Sequence, residues 1–121
     1  MTEHFKEREF NCKCGKCKSV PNYLKPRLRL LAQQLETIRK LSGPLIINSG
    51  VRCINHNKKV GGVKNSQHIL GNAADIRATE IDVLKLYAII DMLREEKQIR
   101  IGYIQLYKRE KFIHIDIRGI K

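Results

Sequence analysis

Between residues 24 and 41 the apolar side chains Leu24, Leu28, Leu31, Leu35, Ile38 and Leu41 recur at steps of three and four, with Arg27, Arg29, Gln34 and Arg39 between them. That spacing lays one apolar stripe along a helix. Pro21 and Pro26 introduce it, and Ser42-Gly43-Pro44 ends it. The period then changes. Leu45-Ile46-Ile47-Asn48 reads as a short strand and Ala73-Ala74-Asp75-Ile76-Arg77 as a second. Val83, Leu86, Ile90 and Leu93 predict another helix over roughly 80–96, with Thr79 and Asp82 as capping signals. The tail from Ile99 to Ile120 reads as two strands, 99–107 and 111–118, joined by a turn at Lys108-Arg109-Glu110. Helix, strand, loop, strand, helix, hairpin predicts an α+β domain with two main helices and a small, mostly antiparallel sheet.

Two segments carry more than this frame requires. The polar run from Ser49 to Asn72 is long for so small a domain, and loops of that length are commonly functional. Inside it lies NSQHILGNAADI, residues 65–76, where Gly71 permits a tight turn between His68 and Asp75. If Asp75 opens a strand and His68 ends the loop feeding it, both side chains converge on one point. The second segment is KFIHIDIRG, residues 111–119. Ile113, Ile115 and Ile117 alternate with His114, Asp116 and Arg118, so one strand face carries an imidazole, a carboxylate and a guanidinium. Lys, Thr or Glu would solubilise such a face equally well, so the choice suggests the floor of a site.

His68, Asp75 and His114 make a set of two histidines and one carboxylate. Three protein ligands that leave the fourth position to water are the arrangement of a catalytic zinc. Such an ion brings the pKa of a bound water to about 7 and polarises a carbonyl. Asp116, next along the face, could take the water's proton or orient a ligand imidazole. The plainer reading makes His68 a loop histidine and His114 a core histidine satisfied by Asp116. Against it, the chain has only four histidines, and two of them stand near carboxylates in short, chemically unusual contexts.

Composition bounds the partners. The 121 residues suffice for one domain spanning 1–121, and no run of about 18 apolar residues is long enough to span a membrane. The N-terminal MTEHFKEREF has no apolar stretch of the secretory type, so the expectation is synthesis in a cytoplasm without a signal peptide. A net charge of +12 favours a polyanionic partner such as nucleic acid, anionic lipid or an anionic wall polymer. The charge is dispersed and aromatics are only 6%, so no stacking platform for single strands is visible. Cys12, Cys14 and Cys17 crowd the Cys-rich segment 10–20, with Cys53 distant in sequence. In a reducing compartment the four read as a candidate second, structural metal site; disulfides and free thiols are the alternatives.

Residues 49–76, SGVRCINHNKKVGGVKNSQHILGNAADI, followed by FIHIDIRG at 112–119, resemble the zinc D-alanyl-D-alanine carboxypeptidase family. That family includes phage endolysin peptidases and shares a fold with the hedgehog signalling domain. Its marks are S-G-x-R, then S-x-H-x-x-G-x-A-x-D, then a closing H-x-H, H-x-D or E-x-x-H. Here they stand as Ser49-Gly50-Val51-Arg52, as Ser66 to Asp75, and as His114-Ile115-Asp116. The N-terminal FNCKCGKC and leucine-rich helix also resemble short, single-domain phage and prophage members. The resemblance implies Zn2+ on His68, Asp75 and His114, with Arg52 facing a substrate carboxylate or developing oxyanion, and Ser66 and Gln67 lining the site. Members closing with E-x-x-H have a glutamate base where this chain has Lys111. Asp116 is the substitute base; the rival assignment puts Asp116 on the metal and His114 as base, and Glu110 is a further candidate. His56 lies near both Arg52 and Cys53, while His4 sits in a terminus expected to fray and takes no role.

Three functions follow. The leading one is a zinc peptidase hydrolysing peptidoglycan stem-peptide bonds through a metal-activated water, as a carboxypeptidase or an endolysin-type endopeptidase. It would be monomeric and would act on the cell wall after release or from a virion. The second is a non-catalytic metal-binding or structural domain of the same fold. A basic nucleic-acid binder comes last, since it gives His68, Asp75 and His114 no reason to meet.

Overall fold

A computed structural model describes residues 1–121. Helix α1 covers Lys25–Ser42, strand β1 Leu45–Ser49, helix α2 Ile54–Lys59, strand β2 Ala73–Ala78, helix α3 Val83–Glu95, strand β3 Tyr103–Tyr107 and strand β4 Phe112–Asp116. The strands form one sheet in the order β1-β2-β4-β3, and every neighbouring pair is antiparallel. Leu28, Leu31, Leu35 and Ile38 of α1 pack with Leu86, Ile90 and Leu93 of α3 over Ile76, Ile113 and Ile115 of the sheet. The fold is the expected α+β domain.

The helix ends follow local chemistry. Gly43 takes a left-handed φ of 78° and returns its N–H to the Arg39 carbonyl, ending α1. Leu41, expected on the apolar stripe, is 55% exposed, because in this last turn the buried position is Ser42. Asp82 caps α3 by accepting from the Lys85 N–H at 2.8 Å, so the helix starts at Val83 and Thr79 plays no capping part. The hairpin strands are shorter than the apolar pattern implies. Ile99 and Ile101 are buried before β3 begins, and Lys111 adopts φ 63° in the turn.

Two features had no apolar period to betray them. Helix α2 lies inside the polar run; it has six residues, only Asn57 is buried, and its N-cap is the Cys53 sulfur accepting from the His56 N–H. The N-terminus does not fray. Phe5 and Phe10 are fully buried, and Glu36 on α1 accepts from the His4 backbone N–H at 2.6 Å and contacts its ring Nδ1 at 2.8 Å. The Val51 N–H donates to the Phe10 carbonyl at 2.9 Å. A Cβ on Gly50 would lie 2.7 Å from the Phe10 Cα, so only glycine admits this backbone contact.

The sheet face away from the helices positions the site. Cross-strand register sets Ser49, Asp75, His114 and Gln105 in one row, and Ala73, Asp116 and Tyr103 in the next. A bulge between Ile47 and Ser49 bends β1 into the corner formed by Gly50, Val51 and Arg52.

Two outcomes test this packing. Phe10→Ala is expected to cost about 3–5 kcal/mol in urea unfolding, whereas Leu41→Ala should stay within about 0.5 kcal/mol. Partial burial pushes the Glu36 carboxyl up, but the His4 N–H and ring outweigh it and hold it below the usual carboxylate range. The unfolded chain therefore binds the proton first, and this contribution is lost as pH falls through the acidic range. Glu36→Gln should flatten that acid limb, read as unfolding midpoint against pH.

Candidate active site

His68, Asp75 and His114 come together although they lie in a loop, on β2 and on β4. Each offers one ligand atom, and the three atoms lie within 4.8 Å of one another. The His68 ring Nδ1 is 2.7 Å from the Gly50 carbonyl oxygen. A carbonyl only accepts, so Nδ1 carries a proton and, in the neutral ring, Nε2 presents a lone pair. That Nε2 lies 3.2 Å from Asp75 Oδ1, yet it makes no hydrogen bond and is shut off from solvent. A buried, partnerless nitrogen facing a carboxylate oxygen is a place for a cation. The donor set suits a divalent metal, and the Gly50 contact on the far ring nitrogen is how metal-binding imidazoles are commonly oriented.

His114 lies between two carboxylates, with Nδ1 3.0 Å from Asp75 Oδ1 and Nε2 2.7 Å from Asp116 Oδ2. Burial pushes its pKa down, but Asp116 and Asp75 outweigh this and raise it. Burial likewise pushes the Asp75 carboxyl up, but the imidazoles on either side bring it to about 2. Asp116 is 0% exposed. Its burial penalty is overcome by His114 and Arg118, which hold its pKa at about 2. The Arg118 backbone N–H and Nε donate to Oδ1 at 3.1 and 2.8 Å, and Nη2 donates to Oδ2 at 2.7 Å. With the His114 contact this fills the roughly four lone-pair sites of a carboxylate. Imidazole, carboxylate and guanidinium at alternate positions of 111–119 are thus one chain of hydrogen bonds.

Arg52 also reaches the site, with Nη2 3.5 Å from Asp75 Oδ2 and Nη1 donating to Asn57 Oδ1 at 3.1 Å. Ser66 is buried and accepts the His68 N–H at 3.2 Å, so it shapes the loop that presents the imidazole. Gln67 accepts from the Asn72 side chain at 2.9 Å. Asn72 is itself held by Arg27 of α1, whose other guanidinium nitrogens donate to the Ile117 and Ile120 carbonyls. Sequence reasoning gave Arg27 only the polar side of a helix. Nothing in a 3.6-residue period distinguishes a guanidinium that turns toward a strand end.

The cluster opens into a cavity of about 560 Å³, lined by Arg52, Gln67, Tyr103, Gln105 and Arg118 among others. Asp75 is the only acidic residue lining it; Glu110 lies instead beside Arg77 and Lys111 in a separate hollow. Tyr103 and Arg118 were not assigned roles from the sequence. The Arg118 guanidinium stacks over the Tyr103 ring at 4.4 Å, and the Tyr103 hydroxyl donates to Gln105 at 3.0 Å. Cys12, Cys14, Cys17 and Cys53 gather separately, and His56 joins neither cluster, although its backbone N–H meets the Cys53 sulfur at 3.4 Å.

A family model described as Peptidase M15 matches residues 3–116. A zinc D-Ala-D-Ala carboxypeptidase of Streptomyces albus G is 40% identical over 47 residues, a stretch that covers 37% of this chain and 18% of that protein. The match to the family model takes in all four strands, all three α-helices and both the His68, Asp75 and His114 cluster and the four cysteines: the chain belongs to the peptidase M15 family.

Proposed function

We propose that this protein is a zinc-dependent peptidase that hydrolyses bonds in the stem peptides of peptidoglycan. The observation that carries the reading is the buried His68 Nε2, without a hydrogen-bond partner and 3.2 Å from Asp75 Oδ1. In this reading His68, Asp75 and His114 hold the ion. A zinc ion there supplies a Lewis acid that polarises the scissile carbonyl and activates water near neutral pH. The substrate class is supported by the relative's name and by a net charge of +12, which suits a substrate embedded in an anionic wall.

The chain's own groups divide the remaining work. Asp116 positions the His114 ring through Nε2 and, with its lone pairs already engaged, leaves none for a water proton. This reading therefore departs from the expectation that Asp116 is the base. It departs equally from the swap that would put Asp116 on the metal. Arg52 faces the cavity with a guanidinium braced by Asn57, ready to bind a substrate carboxylate through its planar fork. Ser66 fixes the His68 loop. Gln67, at the cavity wall, buttresses the same loop through Asn72.

Three measurements test these roles. His68→Ala should lose the active-site zinc, and release of new amino groups from purified stem peptides should fall by about 10³-fold or more. Full hydrolysis after exhaustive chelation would overturn the reading; zinc bound at this site without hydrolysis would make the domain a binding module. Asp116→Asn should weaken zinc about 10–100-fold in chelator competition while turnover at saturating zinc is largely kept. Loss of turnover at saturating zinc would restore Asp116 as proton acceptor. Amidating the substrate's terminal carboxylate should raise KM in the wild type and change nothing further in Arg52→Ala. Equal losses in both proteins would remove Arg52 from carboxylate binding.

A further inference from the structure

Residues 12–17 bring three thiols to one place, and the corner after β1 delivers a fourth. The sulfurs of Cys12, Cys14, Cys17 and Cys53 all lie within 4.8 Å of one another, and none is in a disulfide. A pair of disulfides requires only that sulfurs meet two by two. A mutually close set of four is what a tetrahedral ion requires, with edges of about 3.8 Å for a zinc–sulfur distance near 2.3 Å. A small contraction of this cluster reaches that geometry.

The backbone is arranged for thiolates. The Lys16 and Cys17 N–H groups both donate to the Cys14 sulfur at 3.3 Å, across a turn in which Gly15 takes φ 83°. The Cys53 N–H donates to the Cys12 sulfur and the His56 N–H to the Cys53 sulfur, each at 3.4 Å. Four backbone N–H groups thus point at three of the four sulfurs. Lys13, Lys16 and Lys18 flank the cluster and offset the net double negative charge of four thiolates around one divalent ion.

We propose that these four cysteines bind a second, structural zinc ion, and that this ion fastens the N-terminal segment to the corner carrying Arg52. The corner is gripped from both sides. Val51 donates to the Phe10 carbonyl at 2.9 Å, and Arg52 donates through its backbone to the His68 carbonyl at 3.1 Å. Gly50 meanwhile gives its own carbonyl to the His68 ring. Cys53, the residue after Arg52, ties the end of this corner to Cys12. The ion is a closed site with four protein ligands, and its part is to hold Arg52 and the His68 loop in register.

Cobalt loading of the reduced full-length protein tests the site with a readout separate from hydrolysis. Wild type should take up two equivalents and show the intense near-ultraviolet band of thiolate-to-cobalt charge transfer. His68→Ala should keep that band and one equivalent; Cys14→Ser combined with Cys17→Ser should lose it. The wild-type spectrum decides the matter even if the cysteine variant does not fold. A wild-type protein with no such band, or one whose four thiols are found as disulfides by mass spectrometry, would overturn the site. A band present in His68→Ala with no hydrolysis by the wild type would uphold this ion and reject the peptidase. For the fastening role, amide exchange at Val51 and Arg52 should accelerate about tenfold or more in the thiol variant. Unchanged exchange there, with the band lost, would overturn it.

Discussion

The Nε2 of His68 is held away from water without a hydrogen-bond partner, 3.2 Å from an oxygen of Asp75 that His114 also contacts. A buried ring nitrogen left without a partner is costly. The surrounding structure prevents escape. Gly50 fixes the far side of the His68 ring, Ser66 fixes its backbone, and Asp75 sits in the middle of β2 with a hydrogen-bonded strand on each side. The protein thus keeps one buried ring nitrogen unpartnered beside a carboxylate, and the chemistry of the site follows from what that nitrogen can take up.

A second layer keeps the arrangement stiff. Asp116 is completely buried, where an uncompensated carboxylate would be strongly destabilising. Its partners are a guanidinium two residues further along the chain and the imidazole two residues back, so the compensation is supplied within five consecutive positions. Arg118 in turn lies over the ring of Tyr103 on the neighbouring strand. These contacts link the rim of the cavity to the His114 ring without passing through the helices. The helices contribute differently: Arg27 of α1 spans the gap between the loop after His68 and the end of β4.

Much of this was legible beforehand, and the reasons are physical. A strand repeats every two residues, so the row of His114, Asp116 and Arg118 could be placed on one face from spacing alone. The pairing of Asp75 with His114 depends on register between strands far apart in sequence; residue type and the motif resemblance grouped them as a ligand set, but spacing could not fix that register. Helix α2 escaped because six polar residues with a single buried asparagine carry no amphipathic signal. The role of Asp116 was open between base and orienting group, because sequence identifies a carboxylate but does not count the donors around it. His4 was misjudged for a related reason: terminal position suggests fraying, whereas two contacts to Glu36 and the burial of Phe5 anchor it.

The close approach of Phe10 to Gly50 has a bearing on how this domain can be dissected. A fragment beginning at α1 would retain every α-helix, every strand and all three histidine and aspartate side chains of the cluster, and would look complete on a topology diagram. It would nonetheless expose the bare backbone of the corner on which the His68 imidazole rests, because that surface is covered by chain that belongs to no strand or long helix. The smallest autonomous unit is therefore larger than its regular elements, and the irregular leading segment counts as part of the scaffold, not as a removable extension.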